Sequence, residues 1–121
     1  MQPLVVIGKL DDKSTNSFAT DGIEMFYAND AVGNISRVAV GGMPTTLFTV
    51  SAPRGLGADD TSVYWISSGA LQYAPKDGSG EPKSLACSKG TGVLVTPTST
   101  DIFWVTTEGP DRFAVWKAPR P

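Results

Sequence analysis

The sequence predicts an all-β chain in which one unit recurs three times. Three observations carry this. The first is an apolar-aromatic pentad, Met25-Phe26-Tyr27-Ala28-Asn29. It returns 38 residues later as Val63-Tyr64-Trp65-Ile66-Ser67, and 39 residues after that as Ile102-Phe103-Trp104-Val105-Thr106. A fixed period of this size marks a repeat architecture. The second is punctuation: the 121 residues include 13 Gly and 9 Pro, which set frequent turns between short runs of β-branched and aromatic residues. The third is that no stretch carries an apolar stripe at helical spacing.

Each element follows from its residues. Residues 3–7, Pro3-Leu4-Val5-Val6-Ile7, form a short β-branched run bounded by Gly8 and read as a strand. Residues 9–16 are polar and read as a loop. Ser17-Phe18-Ala19-Thr20 is a weak strand stopped by Asp21-Gly22, and residues 24–29 are the first aromatic strand. Ile35-Ser36-Arg37-Val38-Ala39-Val40 alternates as a half-buried strand does. Gly41-Gly42 turns, and Pro44 leads into residues 45–50. The pattern restarts at Arg54-Gly55-Leu56-Gly57-Ala58 and passes through Asp59-Asp60 to the second aromatic strand. It turns at Ser68-Gly69, returns over residues 70–75 and closes with residues 82–86. The third round starts at Gly92-Val93-Leu94-Val95-Thr96 and ends on residues 112–118, without a final strand. Pro75 and Pro119 fall at equivalent places, as do Pro44 and Pro82. Proline lacks an amide donor, so it belongs at strand ends and edges. Four strands in about 40 residues, repeated, read as propeller blades.

The pattern D-D-x-x-V-Y-W-x-S, continued from Gly69 through Pro75-Lys76-Asp77-Gly78 to Leu85, resembles blades of six-bladed β-propellers of the broad NHL/YWTD/TolB-like group. The likeness extends to tandem repeats of bacterial secreted proteins. Residues 59–67 and 69–85 are its best copy. Where that copy has Asp60, the first repeat has Gly22 and the third Ser99. The resemblance implies blade architecture and leaves the ligand open, because one fold hosts unrelated activities.

The phase of the repeats sets an expectation for assembly. Pro3-Leu4-Val5-Val6 matches Pro44-Thr45-Thr46-Leu47 and Pro82-Lys83-Ser84-Leu85. Residues 1–8 are therefore expected to be the outermost strand of a blade whose inner three strands are residues 92–118. Residues 17–50 and 54–87 would be the two whole blades of a single domain, 1–121. Three blades span half of a six-bladed ring. The eight residues 9–16 reach at most about 28 Å, too little to cross it. The expectation is a homodimer in which each chain lends its first strand to the other's last blade.

Composition excludes several classes of function. The formal net charge is −2, which attracts neither nucleic acid nor an anionic membrane. There is no apolar run long enough to span a bilayer and no signal peptide in this chain, so it is expected to be soluble. Cys87 is the only cysteine, expected to be half-buried near a strand end, and there is no histidine. That removes the commonest general base and metal ligand. No metal site and no cofactor are expected. Asp77-Gly78-Ser79-Gly80-Glu81 resembles a calcium loop but reads better as a hairpin turn, and Asp59-Asp60, which could hold a cation, reads better as a cap of the turn between first and second strands. Gly90-Thr91-Gly92 has no helix after it and reads as a loop. Asp11, Asp12, Asp30, Glu108 and Asp111 read as solvated charges. Asn34-Ile35-Ser36 is a formal glycosylation sequon. The aromatic pairs are expected to point to opposite faces and to fill the space between blades.

The resemblance implies a ligand face made by the loops that join one blade to the next and the second strand to the third. Asn16, Asn29, Arg54 and Ser67 are the expected ligand-binding residues, with no catalytic set. Arg54 leads because a guanidinium grips carboxylate or phosphate with two hydrogen bonds. Three functions stay open: a non-catalytic ring binding a glycan or protein, a lyase or hydrolase with its site at the channel mouth, and an engineered or fragmentary half-propeller without activity of its own.

Overall fold

The computed structural model describes residues 15–39 and 41–121; residues 3–7, the expected first strand, lie outside them. The described residues form eleven strands and no helix, so no helix is long and apolar enough to cross a membrane. In order they are β1 Thr15–Thr20, β2 Glu24–Asn29, β3 Asn34–Ala39, β4 Thr45–Thr49, β5 Arg54–Ala58, β6 Ser62–Ser67, β7 Ala70–Pro75, β8 Lys83–Cys87, β9 Thr91–Pro97, β10 Asp101–Thr107 and β11 Phe113–Pro119. They make two four-stranded meanders, β1-β2-β3-β4 and β5-β6-β7-β8. The third sheet, β9-β10-β11, has three strands among the described residues. All pairs are antiparallel.

Register repeats along with sequence. Glu24 opposes Ala39, Ser62 opposes Pro75, and Asp101 opposes Pro119. A bulge sits at matching places in the outer halves of the first two sheets, between Ile35 and Ser36 and between Leu71 and Gln72.

The sheets pack face to face through two apolar clusters. Phe26, Ala28, Ile35 and Phe48 of the first sheet meet Leu56, Val63, Trp65 and Ala74 of the second. Tyr64, Ile66 and Leu71 on the reverse face of the second meet Val95, Ile102 and Trp104 of the third. Neighbours Tyr64 and Trp65 thus serve different interfaces, as strand alternation requires. Phe48 stacks on Trp65 with centroids 6.0 Å apart, and Trp104 on Trp116 at 6.3 Å.

The first strands β1, β5 and β9 lie side by side where the sheets converge. Two small residues permit that approach. A Cβ on Gly57 would stand 2.5 Å from the Val95 carbonyl oxygen, and one on Gly92 would stand 2.7 Å from the Ile66 side chain. Glycine inside a strand commonly marks such close contact.

Each turn from first to second strand is built on one side-chain acceptor. Asp21 Oδ1 accepts from the backbone N–H groups of Ile23 and Glu24, both at 2.8 Å. Asp59 Oδ1 does the same for Thr61 and Ser62 at 2.9 and 2.8 Å. In the third sheet Thr98 Oγ1 accepts from Thr100 and Asp101 at 3.4 and 3.0 Å. Asp77 Oδ1 accepts from the Ser79 backbone at 2.8 Å and holds a plain turn. Cys87 departs from expectation: it is exposed, at the end of β8, the outermost strand of its sheet.

Candidate functional site

The loops that join sheets, residues 50–53 and 88–90, gather at one end of the molecule with the turns between second and third strands. The Ser88 N–H donates to the Gly69 carbonyl at 2.7 Å, and the Val50 N–H to the Gly33 carbonyl at 2.8 Å. Both bonds lock a joining loop onto the neighbouring turn. A cleft of about 460 Å³ opens between these loops, lined by Ala52, Arg54, Ile66, Ser68, Gly69 and residues 90–92. A second hollow, about 280 Å³, continues along the converging first strands past Ser17, Arg54, Val93 and Thr107. Arg54 lines both.

The walls are mostly backbone and small side chains. Two non-glycine residues in the wall adopt the left-handed region, Ala52 at φ 41° and Ser68 at φ 51°. Held backbone strain of this kind clusters at binding loops. Among the described residues, Arg54 supplies the one charged side chain lining the cleft. Its Nη2 donates to Asp30 Oδ2 at 2.7 Å, which spans the first and second sheets.

Of the three expected ligand residues whose side chains are described, Arg54 alone lines the cleft. It opens β5 rather than closing a loop, and its guanidinium is already engaged by Asp30. Asn29 is buried, and its Oδ1 accepts from the Val32 N–H at 3.0 Å. Ser67 is buried as well, its hydroxyl donating to the Ser51 carbonyl. These two brace the loops from inside, because each turn needs its own backbone groups satisfied. Asn16 lies in β1, and its side chain falls outside what the structure describes. Ala52, Ser68 and Thr91 fall in the joining loops and turns expected to make the ligand face, and Ile66 is the lining side chain that sequence reading passed over. Gly90-Thr91-Gly92, read as a loop, is instead the entry to β9, with Thr91 and Gly92 inside the strand. Its Gly-x-Gly spacing was the available signal.

Asp21, Asp59 and Tyr64 form the other polar constellation, at the opposite ends of β1, β5 and β6. Burial pushes the Asp21 carboxyl up, but the N–H groups of Glu24 and Ile23 and the Lys76 ammonium at 2.6 Å outweigh it and hold it at about 2. Burial and the 2.6 Å bond to Asp59 Oδ2 push the Tyr64 hydroxyl up to about 12. Burial likewise opposes the charge of Asp59. The Tyr64 hydroxyl, two backbone amides and Arg120 nevertheless hold its carboxyl below the usual range. A tyrosine held protonated and a carboxylate held ionised at neutral pH form a structural brace and are not poised for proton transfer.

The fold is that of a β-propeller, with the sheets as its blades. The nidogen/laminin complex contains a chain that superposes with a TM-score of 0.75 at 17% identity, over 87% of this chain and 44% of that one. Virginiamycin B lyase from Staphylococcus aureus, in a catalytically inactive histidine-to-alanine form with quinupristin, matches with a TM-score of 0.67 at 14% identity. That match spans 93% of this chain and 43% of the lyase. The selenomethionine form of the same lyase gives 0.66 and 14%, over 93% and 44%. This chain therefore spans less than half the length of these structures. No family model and no curated protein sequence matches it.

Proposed function

We propose that this chain is half of a six-bladed ring of the NHL/YWTD/TolB-like kind and works as a non-catalytic binding scaffold. Its ligand, a glycan or a protein loop, would enter the cleft at the joining-loop end. The observation that carries this reading is the cleft itself. It is walled by backbone, two left-handed residues and Arg54, whose guanidinium is paired with Asp30, with no nucleophile set beside a base among the described residues. Such a wall offers hydrogen bonds and an ion pair for recognition, but nothing for bond breaking. The solved neighbours include both a binding complex and a lyase. The lyase's histidine-to-alanine form is catalytically inactive, and this chain has no histidine at all, which favours the binding reading. The ring would be completed by a second copy, with residues 3–7 of each chain running beside residues 113–117 of the other.

A glycan and peptide array tests the ligand. Binding is expected to fall about tenfold on Arg54→Ala, as for loss of a charge-assisted contact. A blank array across both classes, or hits indifferent to Arg54→Ala, overturns the reading.

A further inference from the structure

The joining-loop end of the molecule is balanced in charge. Arg54 Nη2 stands 2.7 Å from Asp30 Oδ2, and the two side chains are 45% and 23% exposed. Lys89 lies in the loop that leads into β9, and Glu108, Asp111 and Arg112 lie in the turn between β10 and β11. A Cβ on Gly90 would stand 3.1 Å from Glu108 Cγ, which sets that carboxylate's stem against the cleft wall, one residue from Lys89. Among the described residues, the joining loops and the turns beside them, with Arg54 at the start of β5, thus carry three cations (Arg54, Lys89, Arg112) and three carboxylates (Asp30, Glu108, Asp111).

The cleft itself is polar but, Arg54 apart, uncharged. Ser68 and Thr91, both exposed, bring hydroxyl groups to a wall otherwise rich in glycine. Ala52 and Ile66 are the apolar side chains of the lining, and Ile66 is only 1% exposed. Protein loops hold on through aromatic or other large anchors seated in well-packed pockets, and this wall offers no such seat. A ligand made of hydroxyl groups needs none. Each hydroxyl both donates and accepts, which suits Ser68, Thr91 and the N–H groups of Arg54 that Asp30 does not engage.

Resting on the binding reading of this cleft proposed above, we infer that its ligand is an uncharged sugar held through neighbouring hydroxyls, and that Asp30 sets this preference by offsetting the charge of Arg54. A carboxylate or phosphate on the ligand has to compete with Asp30 for one guanidinium, and gives up its hydration for a site without net charge. A neutral hydroxyl loses less on leaving water and still gains a hydrogen bond from a charged donor. The cleft, at about 460 Å³, falls within the range of pockets that hold small ligands.

Matched oligosaccharides test this: chains of neutral glucose, mannose or galactose, and the same chains carrying uronic acids, titrated against the full chain by calorimetry. The neutral chains are expected to bind about fivefold tighter than their uronates, with an affinity that moves by about twofold at most between low and high salt. Asp30→Asn leaves the guanidinium without its counter-charge and is expected to shrink that preference about fivefold. Because the pair is solvent-exposed, the melting temperature of this variant is expected to stay near native. Uronates bound by the native chain as tightly as the neutral sugars, or a preference that Asp30→Asn leaves unchanged, overturns the inference. Binding of peptides alone, weakened by Arg54→Ala, overturns it as well but keeps the binding reading of the cleft. A chain that takes neither sugars nor peptides overturns both.

Discussion

The second blade and the third are written in nearly the same pattern and live in different surroundings. The second has a neighbour on each face and four strands. The third has a neighbour on one face and three strands among the described residues. Leu71 and Val115 occupy the same register position, and so do Tyr64 and Phe103, but only the first of each pair is buried. An apolar residue on a strand therefore marks a surface meant for contact. Whether contact occurs depends on what stands opposite, because burial belongs to a pair of faces.

The largest test of this contrast uses that matched pair. Leu71→Ala empties a site closed on both sides and is expected to cost about 2–5 kcal/mol in chemical denaturation. Val115→Ala, on a side chain that is 73% exposed, should stay within about 0.5 kcal/mol. Equal losses would mean that the third blade is covered within a single chain.

Gly69 and Gly109 offer a finer comparison, because both sit at φ 82° in equivalent turns. A Cβ on Gly69 would press to 2.6 Å on the Ser88 carbonyl oxygen, while one on Gly109 meets nothing within 4 Å. Gly109→Ala should cost only the left-handed backbone penalty, about 1 kcal/mol. Gly69→Ala should cost about 2–4 kcal/mol, since the added clash is with backbone. Matching melting temperatures for the two variants would show that the joining loop yields freely.

The smallest expected effect concerns acid. The Asp21 carboxyl titrates near 2 in the folded chain against 3.8 in the free state. A carboxyl depressed by folding adds stability above its unfolded pKa and loses it as pH falls through the folded one. The contribution of Asp21 should thus be present at pH 5 and fade between about pH 4 and pH 2. Asp21→Asn should flatten that part of the stability profile, and an unchanged acid limb would sink the assignment. The third blade, capped by neutral Thr98, has no counterpart to this titration.

Much of the fold was legible beforehand because its signals are local. The pentads, Asp21-Gly22, Asp59-Asp60 and Ser68-Gly69 mark strands and turns through alternation and turn chemistry alone. The cleft was legible only as an end of the molecule. Arg54 was singled out because a guanidinium at a rim suits two-point capture of a carboxylate or phosphate, and it does line the cleft. Asn29 and Ser67 are buried and bonded to backbone, because the polar groups that suit a ligand also satisfy buried backbone. Ile66 left no trace as a cleft residue, since nothing local distinguishes a wall from a core.

Taken by itself, the amino-acid sequence determined the repeat, the strand order within each blade and the alternation that sends Tyr64 and Trp65 to opposite faces. These depend on neighbours a few residues apart. Only the tertiary structure decided that Arg54 is tied to Asp30, that Lys76 and Arg120 clasp the blade before them, and that Phe18, Phe103 and Val115 stand open. Those facts depend on which surfaces meet across 24 to 60 residues of chain. That is a question of three-dimensional packing, and a period in sequence does not answer it.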